Sequence, residues 1–153
     1  MTTICIVAES PLPPESILAA ARDFSPRREA IFDAVSMERM EVHALGEETA
    51  DVTGGTRAGV LGVNWERCDY DWSQPGLVVA DVTDSNIYKP DGSRWEITAT
   101  ASGDGSEVVM TWTREFKRSP KGRLFSFVFN RFGQRLFDKY GNELVESLEK
   151  LEA

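Results

Sequence analysis

Through the middle of this chain hydrophobic and polar positions alternate with period two; towards its ends the spacing becomes three and four residues. Asn64 to Ser73 sets Glu66, Cys68, Tyr70 and Trp72 against Arg67, Asp69 and Asp71. Leu77 to Ser85 sets Val78, Ala80 and Val82 against Asp81 and Thr83. Arg94 to Ser102 sets Trp95, Ile97, Ala99 and Ala101 against Glu96, Thr98 and Thr100. Glu107 to Phe116 sets Val108, Met110, Trp112, Arg114 and Phe116 against Thr111, Thr113 and Glu115. One apolar and one polar face predict an antiparallel sheet wetted on one side. Gln74-Pro75-Gly76, Pro90-Asp91-Gly92 and Gly103-Asp104-Gly105 supply hairpin turns. Two further strands are predicted, Thr3 to Glu9 and Met37 to Ala44, with Gly46 to Gly55 a loop or ragged strand end.

Helical spacing predicts three helices. Pro14 to Phe24 aligns Ile17, Leu18, Ala21 and Phe24. A second short helix opens at Ser25-Pro26, N-cap and first helical residue, and runs through Ile31, Phe32 and Val35. The last opens in the same way at Ser119-Pro120 and runs to near Leu151. Its predicted stripe is Phe125, Phe129, Phe132, Leu136, Tyr140, Leu144, Leu148 and Leu151.

Length and composition narrow the class. At 153 residues, 41% hydrophobic and 27% charged, the chain reads as one domain, 1–153, with a core large enough to need no disulfide or metal. No apolar run reaches membrane-spanning length, and no signal-peptide pattern opens the chain, so a cytoplasmic protein is expected. Cys5 and Cys68 are expected to be free buried thiols. A net charge of −8 argues against nucleic acid as a partner. The charge is uneven: Lys117, Arg118, Lys121, Arg123, Arg131, Arg135 and Lys139 share one window with a single acid, Asp138. That window reads chiefly as a solvated face paired with acids on the sheet, with transient contact to an anionic membrane or acidic partner as the alternative.

With the ragged 46–55 stretch counted as a strand, the order of elements is strand, two short helices, six strands and a long helix. In that order the chain resembles the START-like superfamily, the polyketide cyclase/dehydrase and lipid-transport group. The resemblance is carried by Gly55-Thr56-Arg57, Trp65-Glu66, Trp95-Glu96-Ile97-Thr98 and Glu107-Val108-Val109-Met110-Thr111-Trp112, with the proline-led final helix. It implies an α+β helix-grip fold: a seven-stranded antiparallel sheet curled around the C-terminal helix, two short helices after the first strand, and a mostly apolar cavity between. Members of the group bind lipids, sterols, polyketides, quinones or plant hormones, and a minority are enzymes. Fold alone does not choose among these.

Parity and stripe together nominate Tyr70, Trp72, Trp95, Met110, Trp112, Arg114, Phe129, Phe132 and Leu136 as ligand-binding residues. Glu66, Asp84 and Arg114 are inward charges, expected to be paired or at a cavity mouth. Arg114 is suited to a carboxylate or phosphate and Glu66 to a hydroxyl. Gly133 and Gly141 either make room for a ligand or allow close packing. His43, the sole histidine, is expected at the solvent face, and no nucleophile–base set or metal cluster can be assembled. No cofactor is implied. The expected function is non-covalent binding of a small hydrophobic or amphipathic molecule by a monomer or homodimer. The first alternative is a polyketide cyclase or dehydratase, favoured if two of Tyr70, Glu66, Asp84 and Arg114 lie within hydrogen-bond reach in one pocket. The second is a protein-interaction module with a filled pocket.

Overall fold

In the computed structural model, which describes residues 1–32, 35–57 and 62–152, period two is realised as seven strands. The elements are β1 (Thr2–Ser10), α1 (Pro14–Ala21), α2 (Arg28–Ile31), β2 (Val35–Leu45), β3 (Thr49–Arg57), β4 (Val63–Asp71), β5 (Leu77–Ser85), β6 (Arg94–Ser102), β7 (Gly105–Arg114) and α3 (Pro120–Glu152). They form one antiparallel sheet in the order β1-β7-β6-β5-β4-β3-β2. The first strand therefore pairs with the last, and α3 lies over the inner face beside β1. The fold is the expected helix grip.

Several boundaries differ from the sequence pattern. The polar stretch from Gly46 is largely strand: β3 begins at Thr49, and the Gly46 N–H donates to the Thr49 carbonyl at 2.8 Å to close the hairpin with β2. Glycines 54 and 55 hid a strand whose ladder partners on β4 are Glu66 and Trp65. α1 stops at Ala21, freeing Phe24 to meet the Tyr70 ring edge-on at 4.8 Å. α2 begins later than Ser25-Pro26, which form a turn ahead of it, and no side chain caps it. Its expected stretch across 33–34 lies outside the described residues. β7 ends at Arg114, and Phe116 makes an isolated bridge with Tyr88.

Two inward assignments are corrected. A bulge between Arg67 and Cys68 shifts the β4–β5 register, so Arg67 faces Asp84 and Glu66 faces Ser85. Asp84 is therefore outward and exposed, and buried Ser85 takes the inward position. Cys5 is exposed, because Ile4, Ile6 and Ala8 carry the inward parity of β1; Cys68 is buried as expected.

α3 starts where the sequence placed it, with the Ser119 hydroxyl accepting the Gly122 N–H at 3.0 Å. Its buried face is rotated from the predicted stripe and runs through Phe129, Gly133, Gly141, Leu144, Val145 and Leu148, with Phe137 half-buried. The two glycines decide this. A Cβ on Gly133 would stand 2.6 Å from Ile4 Cδ1, and one on Gly141 2.8 Å from Ile6 Cγ2. Both allow close approach of the helix to β1, and Gly133 also borders the cavity between helix and sheet.

Candidate functional site

Between α3 and the far half of the sheet lies a cavity of about 440 Å³. Its walls come from inward strand positions: Val52 on β3, Cys68 and Tyr70 on β4, Trp95 and Ile97 on β6, Met110 and Trp112 on β7. α3 contributes an aromatic chain in which Trp112 and Phe137 are 4.6 Å apart between ring centres, Phe137 and Phe129 5.4 Å, and Phe129 and Phe116 5.4 Å. Edge-to-face and tilted rings of this kind hold their orientations. The surface opening is marked by exposed lining residues, Thr56 and Arg57 at the end of β3 and Leu136 on α3. Arg57 is ion-paired with Glu29 of α2 across this opening.

One end of the cavity is polar. Arg114 Nη1 and Nη2 donate to the two Glu66 carboxylate oxygens at 3.0 and 3.3 Å. The guanidinium also covers the Tyr88 ring, 4.4 Å from its centre. Such forked pairing compensates the cost of burying a cation. Burial works against the Arg114 charge, but Glu66 and its hydrogen bonds more than offset this and raise its pKa. Two buried polar atoms here have no partner among the described residues: Arg114 Nε, a donor, and Asn64 Oδ1, an acceptor. Asn64 and Glu66 are two apart on β4 and share its inner face.

A second cation reaches the cavity from α2. Buried Arg28 donates to the carbonyls of Ala21 at 3.2 Å and Asp23 at 2.9 Å, at the C-terminal end of α1. It also donates to the Tyr70 hydroxyl at 3.3 Å and lies over the Phe32 ring at 4.7 Å. Burial pushes the Tyr70 phenol up to about 12 despite nearby Arg28, and Tyr88 likewise to about 12 despite Arg114. Burial, with Glu66 nearby, pushes the Cys68 thiol well above its usual range. These phenols and the thiol stay protonated near neutrality, so the walls offer hydrogen bonds rather than a nucleophile. Among the described residues no set of three or more His, Cys, Asp or Glu is placed to hold a metal ion. Exposed His43 bonds Thr53 Oγ1 at 2.7 Å on β2 and β3.

Of the residues nominated from sequence, Tyr70, Trp95, Met110, Trp112, Arg114, Phe129 and Leu136 line the cavity. Trp72 does not: β4 ends at Asp71, and the Trp72 indole donates to the Glu47 carbonyl at 2.9 Å with Arg22 stacked over it. Phe132 does not either, because the rotation of α3 leaves it exposed. Sequence reasoning missed Asn64, Tyr88, Phe137 and Arg28. Asn64 was detectable from its shared parity with Glu66, and Phe137 from its four-residue spacing to Gly133 and Gly141. Tyr88 and Arg28 sit in an irregular segment and a one-turn helix, which carry no usable period.

The basic window departs from its expected pairing with sheet acids. Lys117 donates to the Ser85 carbonyl and Lys139 pairs with Glu143 on its own helix at 3.7 Å. Among the described residues Arg118, Arg123, Arg131 and Arg135 form no ion pair.

A sheet gripping one long helix over an apolar, partly polar-ended hollow defines a START-type ligand-binding fold. The chain belongs to the polyketide cyclase / dehydrase and lipid transport family, whose model matches residues 1–153. No curated protein matches its sequence. Among solved structures it is similar to TTHA0849 from Thermus thermophilus, with TM-score 0.78 and 16% identity over 99% of this chain and 100% of that one. It is also similar to the Zhui aromatase/cyclase from Streptomyces sp. R1128, with TM-score 0.75 and 12% identity over 99% and 96%. A START superfamily protein from Mycobacterium smegmatis matches with TM-score 0.69 and 10% identity over 97% and 94%. At these identities the likeness is one of fold.

Proposed function

We propose that the protein binds one small, mostly apolar molecule with a neutral hydrogen-bonding end, and holds it without covalent chemistry. The observation that carries this is a cavity of about 440 Å³ whose polar end keeps an unpartnered donor, Arg114 Nε, and an unpartnered acceptor, Asn64 Oδ1. A ligand hydroxyl or carbonyl beside Nε–H, or a hydroxyl proton directed to Oδ1, removes the cost of leaving those groups dry. An anionic head fits poorly, because Glu66 already neutralises Arg114 and its carboxylate faces the same space. Of the two roles the sequence left open for Arg114, pairing with an internal acid is favoured over anchoring an anion. Covering about 300 Å² of apolar ligand surface contributes on the order of 7 kcal/mol. Ordering costs reduce this to roughly micromolar affinity. The family's lipid-transport description is consistent with such a ligand.

The cyclase reading retains one supporting observation: Glu66 and Arg114 are within hydrogen-bond reach in one pocket. Their partnership is mutual, however, and arginine does not give up its proton in proteins. Anchoring a ligand carbonyl is the role this geometry favours.

Native mass spectrometry of protein purified from its own host, followed by extraction and identification of the released molecule, tests both. A stoichiometric neutral adduct is expected. Gly54→Leu should abolish it, since a Cβ there meets nothing closer than Met40 Cε at 3.9 Å and the longer side chain enters the cavity. An apo mass after incubation with lipids, quinones and aromatic polyketides refutes the binding reading. A polyketide released with its rings closed or a water lost supports the enzyme.

A further inference from the structure

We propose that the outer face of the first half of α3 docks on the surface of an anionic lipid bilayer. Large apolar side chains cluster there in the open: Leu124 is 43% exposed, Phe127 63%, Phe132 45% and Leu136 56%. They alternate with cations on the same face. Leu124, Phe127, Arg131 and Arg135 follow one another at three- and four-residue spacing, which stacks them in one row. Phe132, Leu136 and Lys139 form the adjacent row. The Arg131 guanidinium lies over the Phe132 ring at 5.5 Å. The sole acid between Lys117 and Lys139, Asp138, accepts a hydrogen bond from Gln134 at 2.9 Å. This basic, apolar face belongs to a chain of net charge −8, so the rest of the molecule carries the acid excess.

A second observation lies at the N-terminal end of the same helix. A polar groove of about 430 Å³ is bordered by Lys89, Lys117, Arg118 and Arg123, with exposed Phe127 also lining it. Glu115 lies in the groove but is tied to Lys89 at 2.9 Å, which holds its carboxyl below the usual range. Arg118 and Arg123 are left to meet a phosphate-type headgroup while Phe127 enters the acyl boundary. Cations beside Phe and Leu on one helix face are the pattern of an interfacial helix. The apolar side chains lie on the outward side of a helix, suited to a deformable surface. Leu136 belongs to this face and to the cavity wall, so docking brings the cavity opening to the lipid.

Flotation of the full chain with phosphatidylcholine vesicles, with and without phosphatidylglycerol, tests the proposal. Binding is expected only with phosphatidylglycerol and is lost at about 1 M salt, where the screening length falls to about 3 Å. Each cation removed should lower the partition coefficient about fivefold, so Arg131→Glu/Arg135→Glu loses at least roughly 25-fold. Phe127→Ser should weaken the binding seen at low salt. All substituted positions are exposed, so both variants keep the wild-type urea midpoint and cavity binding of a fluorescent apolar probe. Loss of probe binding with docking intact would count against the cavity reading alone. Equal partition onto both vesicle types, no binding to either, or variants that bind like wild type overturns the proposal. It is equally overturned if vesicles are ignored while sedimentation shows a dimer that Phe127→Ser dissociates, or while polyglutamate is bound.

Discussion

Replacing Glu66 by glutamine tests the polar end of the cavity, because the two partners of its ion pair are unequally buried. The Arg114 side chain is 5% exposed and that of Glu66 21%. Glutamine preserves shape and one acceptor but leaves a cation that cannot neutralise itself. Breaking a buried pair from one side costs about 3–5 kcal/mol. Because Glu66 already touches solvent, the low end applies, about 3 kcal/mol for Glu66→Gln. Arg114→Met should cost less, about 1–2 kcal/mol, since the stranded carboxylate can take up water and methionine still covers the Tyr88 ring. The double variant should be about as stable as Arg114→Met alone, giving a coupling equal to the whole cost of Glu66→Gln, about 3 kcal/mol. Urea unfolding followed by tryptophan fluorescence reads all four states, and a loss of this size is a large part of a stability of about 5–15 kcal/mol. The reasoning is refuted if Arg114→Met costs more than Glu66→Gln, or if Glu66→Gln costs under about 1 kcal/mol.

Further outcomes follow from burial. A thiol reagent should label one cysteine per folded chain, Cys5, and two in urea, because Cys68 is 1% exposed and its burial disfavours the thiolate; equal labelling rates would contradict this. Tyr70 binds its proton more tightly when folded, so stability from this group is intact below pH 10.0 and falls as pH rises towards about 12. The loss is up to roughly 3 kcal/mol, and alkaline absorbance titration should show its ionisation coinciding with unfolding. Gly141→Val places a branched side chain where a Cβ already stands 2.8 Å from Ile6 Cγ2 and 3.2 Å from Met110 Cε. It should destabilise by about 1–3 kcal/mol in thermal unfolding.

The fold was legible because strand parity and helix capping are local properties. β5 and β6 run over the predicted residues, and Pro120 opens α3 as its proline and serine indicated. Errors arose where a non-local contact or a missing side chain decided the outcome. The bulge that turns Asp84 outward lies in the pairing of β4 with β5, which neither strand shows alone. The rotation of α3 depends on Gly133 and Gly141, invisible to a stripe drawn through large apolar residues. The seven cavity residues found from sequence sit on regular strands or near the helix's inner face. Arg28 and Tyr88 reach the cavity from segments without period.

The hollow follows from where the helix is held. Gly133 and Gly141 seat α3 directly on Ile4 and Ile6 of β1, at one margin of the sheet. On its other side Tyr140 stacks with Phe32, beyond the end of α2, with ring centres 6.4 Å apart. Between these supports the helix spans strands whose inward side chains near the opening include Gly54 and Asn64, too small to meet it. Larger inward side chains would close the gap at little cost to either contact. Gly54 in particular has free space where its side chain would stand, so the emptiness is not forced by backbone geometry. What lies there instead is an ion pair with one donor left open and an acceptor facing dry space, both costly unless something arrives to meet them.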